Sequence, residues 1–303
     1  MKALIFGGAG FVGLNIAEAL RARGDEAVLF DRSPPPVAGF EFVRCDVLEQ
    51  PGLLQQADCV IWGAAITADA ARDAAEPEAI IGTNLQALIP VLRGARAAGV
   101  RRVLNLSSAA AYGEAAYRDG ELDEDLPPDP RSLYSLTKFA SERLCSRLGE
   151  VWDLDVVSVR LSAVFGPWER AGGARDTPSP FLRLMQLSQA RLARPGLRDW
   201  LYAPDAARAV LALLDAPRLA HRLYNIGPGR SFSVLDWGKR AGISCTIGVP
   251  ADVDLGGSRD RAPLAVRRLE AETGFRAHFG LEESVAHLGA WARAHPGWFK
   301  ETP

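Results

Sequence analysis

The sequence predicts an α/β fold, a doubly wound parallel sheet joined to a smaller mixed α/β substrate-binding domain towards the C-terminus. Three observations carry this expectation. Up to about residue 165, short β-rich apolar runs alternate with Ala-, Leu- and Arg-rich segments of helical period, the pattern of repeated strand–helix–strand units. A glycine string stands directly after the first of these runs. Beyond Gly166 the texture changes to Pro, Gly and Trp among shorter helical segments. The first domain is accordingly drawn over 1–166 and 200–228, and the second over 167–199 and 229–303.

Taken in order, the runs at 3–6, 27–30, 42–43, 59–62, 103–106 and 156–161 read as strands. The segments 13–21, 85–98 and 133–148 read as helices, with Ala and Leu recurring at three- and four-residue steps. The Pro-rich stretch 126–130 closes a polar loop ahead of the third helix, for which Ser132 is the expected N-cap. The run 223–226 reads as a further strand returning to the first sheet. About 30 residues separate Pro167 from Arg198, and no strand is expected among them. There is no internal repeat.

Composition narrows the partners. The 35 basic and 37 acidic side chains offer no basic face for nucleic acid and no polybasic patch for a membrane, so a small molecule fits better. The apolar runs fall well short of the roughly 18 to 20 residues of a membrane span. Gly7, Gly8, Gly10 and Gly13 interrupt the apolar start, which reads as mature sequence rather than a signal peptide. Cys45, Cys59, Cys145 and Cys245 are scattered and form no CxxC pair, so neither a disulfide framework nor a zinc site is expected. His221, His278, His287 and His295 show no metal spacing. The expectation is a soluble cytoplasmic protein without a metal.

The strand at 3–6 runs into GGAGFVG, which sets Gly7, Gly10 and Gly13 at the start of a helix with Phe11 and Val12 between them. Glycine supplies the tight turn and lets backbone N–H groups approach a pyrophosphate, which the helix N-terminus also favours. Asp31 ends the second strand 18 residues after Gly13, where a carboxylate accepts hydrogen bonds from ribose hydroxyls. Strand, turn, helix and acid together make the dinucleotide signature of a Rossmann domain; a structural turn beside a solvated Asp is the plainer alternative. A carboxylate at 31 repels a 2′-phosphate and favours NAD. Arg32 is the kind of neighbour that accommodates that phosphate, so NADP stays as the alternative.

YSLTK places Tyr134 and Lys138 four apart, on one face of a helix. The strand at 103–106 ends in Ser107 and Ser108, at the carboxyl edge where doubly wound sheets bind their ligands. Reducing a ketone by hydride requires a proton, and oxidising an alcohol releases one, so a phenol near the reacting oxygen serves as general acid or base. A free phenol titrates near pH ~10, and a nearby ammonium favours its phenolate. Ser108 would hold the substrate oxygen. The plainer alternative is helix packing for Tyr134 and a solvated Lys138. Against it, lysine occurs only at Lys2, Lys138, Lys239 and Lys300, so a motif that needs one is hard to meet by accident.

These motifs together resemble the extended short-chain dehydrogenase/reductase family, in its NAD-dependent epimerase/dehydratase branch, over nearly the whole chain. The markers stand as GGAGFVG at 7–13, Asp31, Asp46-Val47, Gly63-Ala64-Ala65, Asn84, SSAAAYG at 107–113, YSLTK, RLSAVFGP at 160–167, RDWLYAPD at 198–205 and YNIG at 224–227. The resemblance implies that Asp46 and Val47 flank the adenine, and that Ala64 and Ala65 follow the cofactor from diphosphate to nicotinamide. It implies Asn84 as a further cofactor residue, Ser108 as the catalytic hydroxyl and Arg198 as a substrate contact. It also implies a homodimer paired through the helices at 85–98 and 133–148.

Three departures shape the functional expectation. Dehydratases of the family carry an acidic pair after the catalytic hydroxyl, where this chain has Ala109 and Ala110. Sugar-nucleotide epimerases usually show Asn where Ala163 stands, and they insert a longer segment, with a strand beside the nucleobase, before the Arg198-Asp199 pair. Trp168, Glu169, Arg170, Arg175 and Thr177 are left as pocket candidates, with an exposed polar loop as their alternative; Arg259 and Arg261 read as solvated, with closure over an anionic substrate group as their alternative. The chain is thus expected to be an NAD-dependent epimerase or oxidoreductase acting at a hydroxyl or ketone carbon of a sugar or nucleotide sugar. A dehydrogenase of a small sugar or sugar acid, and a non-catalytic NAD-sensing module, remain the other two readings.

Overall fold

A computed structural model describes residues 1–48, 56–170, 175–257 and 259–299. Its main sheet has seven strands, β1 (Lys2–Phe6), β2 (Glu26–Asp31), β3 (Glu41–Arg44), β4 (Cys59–Trp62), β5 (Arg102–Ser108), β6 (Val156–Leu161) and β7 (Leu223–Ile226). They lie in the order β7-β6-β5-β4-β1-β2-β3, every pair parallel. Strands buried on both faces read as unbroken apolar runs, as ALIF and CVIW do; VVSVRL keeps the pattern except at Ser158 and Arg160, whose buried polar groups bond Asn105 and Glu142. The winding reverses between β1 and β4, so a crevice opens at their carboxyl ends.

Helices cover both faces. On one, α1 (Phe11–Ala22) packs beside the later helix 203–215 over Ile5, Leu29, Ile61, Leu104 and Val159. On the other, α2 (Leu88–Ala97) and α3 (Leu133–Trp152) cover Phe6, Phe30, Val60, Trp62 and Val103. Ser132 caps α3 by accepting the Ser135 N–H at 3.2 Å, with Ser135 Oγ returning the bond to the Ser132 N–H at 3.0 Å. The single helix expected at 85–98 is instead a π-helical turn over Gly82–Gln86 followed by α2. Pro90 gives the reason: it has no N–H to offer the Gln86 carbonyl, so the regular ladder cannot run through.

After β6 the chain forms a third apolar cluster around Phe165, Phe181, Trp200, Tyr202 and Trp237. Phe165 stacks on Phe181 at 4.0 Å and Trp237 meets Phe181 edge-on at 5.0 Å. The expectation of no strand between Pro167 and Arg198 is corrected here, because Gln189–Leu192 pairs in parallel with Ser244–Ile247. Only Ala190 and Leu192 of its four residues are buried, while Gln189 and Arg191 face out, so the run carries too little apolar signal to be read. β7 does return to the sheet, pairing with β6 from Leu223↔Ser158 to Ile226↔Leu161.

Candidate active site at the carboxyl edge of the sheet

The glycine turn is built by close backbone approach. Gly7 sits at φ +77°, and a Cβ there would lie 2.8 Å from the Ala64 nitrogen. A Cβ on Gly13 would lie 2.3 Å from the Gly7 carbonyl oxygen. Gly10 is the N-cap of α1 and supplies no side chain to its first turn, which also contains no acidic residue. The first-turn N–H groups and the positive end of the helix dipole therefore face a cavity of about 470 Å³ whose wall includes Gly7, Gly10, Phe11, Val12 and Gly13. An anionic diphosphate fits this cradle.

Asp31, Arg32 and Ser33 form one end of that cavity. The Asp31 carboxylate accepts the N–H groups of Arg32 at 2.8 Å and Ala9 at 3.2 Å. Burial raises its pKa, and the N–H groups of Ser33, Arg32 and Ala9 oppose the rise. Asp46 and Val47 are not among the residues of this wall: Asp46 Oδ1 accepts the Leu48 N–H at 2.9 Å, and Val47 packs in the core. Ala65 is on the wall, whereas Ala64 is core.

Tyr134 and Lys138 occupy the other end. Lys138 is 4 % exposed; its Nζ donates to the Leu106 carbonyl at 2.7 Å and stands 5.8 Å from the centre of the Tyr134 ring. Burial lowers the pKa of the ammonium, against the opposing electrostatic pull of Tyr134 and Glu142. Asn84 does not reach the wall. Its amide is fully engaged, Oδ1 accepting the Ile66 N–H at 2.7 Å and Nδ2 donating to the Ile66 carbonyl at 3.0 Å and to Thr137 Oγ1 at 3.1 Å. It ties the segment after β4 to the helix that carries Tyr134 and Lys138. The π turn aims it inward, and no periodicity in the sequence signals that turn.

A second cavity of about 210 Å³ adjoins the first, and Val12, Thr67, Ser107, Tyr134, Leu161 and Arg175 belong to both walls. Ser108, Ala163 and Arg198 lie on it, as do Thr177 and Arg261. Arg261 is thus placed against a cavity rather than in solvent, its Nε donating to Tyr117 Oη at 3.3 Å. Arg259 stays outside, paired with Glu114 at 3.1 Å. Arg170 faces the first cavity. Trp168 lines neither: its indole N–H donates to Glu18 at 2.7 Å and its ring meets Trp291 at 5.0 Å and Trp298 at 5.2 Å. Glu169 is also structural, accepting the Ser179 N–H at 2.7 Å and pairing with Arg175 at 3.0 Å. The substrate role expected for Trp168 is therefore corrected to one in packing; an aromatic residue after a Gly-Pro pair carries no signal that distinguishes the two.

Asp199, which the sequence did not single out beyond its place beside Arg198, is 4 % exposed on the second cavity's wall and accepts the Leu264 N–H at 2.9 Å. Burial raises its pKa to about 6 against the opposing Leu264 N–H. Burial and then Arg261 lower Arg198 to about 10. A carboxyl raised in the folded state binds its proton more tightly there than in the unfolded chain, so stability falls as pH rises from about 4 through about 6. Asp199→Asn is expected to match the parent protein at pH 4 and to exceed it by roughly 2 to 3 kcal/mol at pH 7.5 in urea unfolding. Equal midpoints at both pH values would contradict the raised pKa.

Comparison with known proteins gives a consistent picture. Residues 3–227 match the model of the NAD dependent epimerase/dehydratase family. A dTDP-glucose 4,6-dehydratase of an Actinoplanes species is 28% identical over 330 residues, covering 99% of this chain and 100% of that protein. A UDP-glucose 4-epimerase of Streptomyces lividans is 29% identical over 327 residues, covering 97% of each. Among solved structures, MoeE5 in complex with UDP-glucuronic acid and NAD superposes with a TM-score of 0.81 at 26% identity, covering 97% of this chain and all of that one.

Proposed function

The chain belongs to the NAD dependent epimerase/dehydratase family, and from that premise we propose that it is an NAD-dependent epimerase or oxidoreductase moving hydride at a hydroxyl or ketone carbon of a sugar or nucleotide sugar. The observation that carries this reading is that Tyr134 belongs to the walls of both cavities. A phenol at that junction can exchange a proton with a substrate oxygen beside the cofactor. Bound NAD supplies the ring that takes up and returns hydride. Lys138, with one N–H held by the Leu106 carbonyl, stands 5.8 Å from the centre of the Tyr134 ring, within electrostatic reach of the phenol. Ser108 Oγ accepts the Ala110 N–H at 3.1 Å, which leaves its own proton free to hold the substrate oxygen.

Arg198 and Arg261 make the second cavity complementary to an anion, either the diphosphate of a nucleotide sugar or the carboxylate of a sugar acid. Relatives named for dTDP-glucose and UDP-glucose make a nucleotide sugar the first class to test. Ala109 and Ala110 leave dehydration without its acidic pair, so epimerisation or net oxidation is the proposed outcome. The small volume of the second cavity favours the sugar-acid dehydrogenase as the second reading. In either case residues 167–199 and 229–303 would supply the cationic part of the substrate site, through Arg175, Arg198 and Arg261.

The deciding measurement is mass spectrometry of nucleotide released on denaturing the purified protein, followed by a panel of nucleotide sugars and sugar acids. An epimerase is expected to release NAD and to convert its substrate with no net absorbance change at 340 nm; accumulating NADH would identify the dehydrogenase instead. No conversion of any panel member by protein loaded with NAD would overturn the proposal. The reading extends to a cytoplasmic homodimer paired through α2 and α3, and light scattering should return twice the chain mass.

A further inference from the structure

Ser107, next to last in β5, is 3 % exposed and belongs to the walls of both cavities. Its hydroxyl lies 2.5 Å from Glu142 Oε1. Arg160 holds the same carboxylate from its other side, Nε donating to Oε1 at 3.0 Å and Nη2 to Oε2 at 2.7 Å. Both members of this ion pair are sealed from solvent, with 2 % and 4 % of their side chains exposed. The guanidinium also stacks 4.3 Å over Tyr112, whose hydroxyl donates to the Asp123 carbonyl and lies 3.0 Å from Asn225 Oδ1. The Glu142 carboxylate is thus held from two sides, by Ser107 and by Arg160, although Arg160 Nη1 itself has no hydrogen-bond partner among the described residues.

A carboxylate ion-paired to Arg has no proton to give, so the Ser107–Glu142 bond has one direction: Ser107 donates. That spends the only hydrogen of the hydroxyl on the protein interior. What Ser107 shows to the cavities is lone pairs alone. Neighbouring Lys138, Arg170 and Arg175 have the opposite character and only donate. Thr67 and Tyr134 can do either.

The cofactor cavity assigns the ligand group that would meet this acceptor. Asp31 at one end suits the adenosine ribose and the N-terminus of α1 suits the diphosphate, which leaves the nicotinamide for the end at Ser107, Tyr134, Lys138 and Leu161. Its carboxamide carries an NH2 that must find an acceptor when buried. We propose that Ser107 accepts a hydrogen bond from the nicotinamide carboxamide and so fixes the rotation of the ring, with Glu142 and Arg160 as positioning residues that hold Ser107 in its acceptor role. The proposal rests on the NAD reading above.

The test is equilibrium binding, followed by tryptophan quenching, of NAD and of 3-acetylpyridine adenine dinucleotide, in which a methyl group replaces the amide NH2. Ser107→Ala is expected to weaken NAD about tenfold and to leave the analogue unchanged, since only NAD has a donor to lose. Glu142→Ala removes the acceptor of the Ser107 proton, which can then turn towards the cavity and oppose the carboxamide donor, so the same selective loss of NAD is expected with Ser107 intact. Should Glu142→Ala fail to fold, which circular dichroism reports, Ser107→Ala decides alone. Equal weakening of both nucleotides, or none for NAD, would overturn the proposal while leaving the cofactor reading in place. Failure of the parent protein to bind either nucleotide would overturn the cofactor reading instead.

Discussion

Tyr134→Phe is expected to lower turnover by at least a hundredfold and by up to about ten-thousandfold, the range over which positioned acid–base groups act, while NAD binding is retained. The substitution removes one oxygen and keeps the ring that packs beside Lys138 Nζ. It leaves untouched the backbone carbonyl of Tyr134 that accepts Thr137 Oγ1 at 3.0 Å, so the helix has no reason to shift. Initial rates on the substrate found by the panel, set beside cofactor stoichiometry by mass spectrometry, separate chemistry from binding. Activity that survives in the Phe variant would remove the phenol from the mechanism.

The second large effect is expected at Gly13→Ala. The added Cβ would fall 2.3 Å from the Gly7 oxygen and 2.9 Å from Gly8 Cα, and both neighbours are backbone, so no side chain can swing aside. The turn itself must open, and with it the cradle at the start of α1. NAD affinity should drop by two orders of magnitude or more, and unfolding free energy by about 2 to 3 kcal/mol, as for an overpacked core. Gly24→Ala is the control: its φ is +85° but nothing lies within 4 Å, so it should cost only about 1 kcal/mol and leave NAD binding intact. Urea unfolding and nucleotide titration of the two variants measure the difference.

Much of this architecture was legible because its signals are local. Strands β1, β4 and β6 are buried on both faces and announce themselves as apolar runs, and the glycine turn follows from backbone sterics that no other residue meets. Tyr134 and Lys138 share a wall because four-residue spacing on a helix requires it. What escaped depends on chain segments distant in sequence. Asn84 bonds Ile66 and Thr137 across 18 and 53 residues, and its aim is set by a π turn. Arg261 meets the second cavity only because the chain after Ser244–Ile247 folds back over it. Trp168 is drawn from the site by Glu18, 150 residues earlier, and by the aromatic group of 291–298.

The return of β7 to the sheet has a consequence for the order in which the molecule can be made. Residues 162–222 must be synthesised before Leu223–Ile226 exists to pair with β6, all six of whose residues are buried in the finished protein. On the ribosome, β6 is therefore an open, apolar strand margin with unsatisfied N–H and C=O groups for the time taken to translate some 60 residues, roughly 3 to 12 seconds at bacterial-to-eukaryotic elongation rates. A nascent chain halted near residue 200 should recruit chaperones or pair with other chains, whereas one released past residue 240 should not.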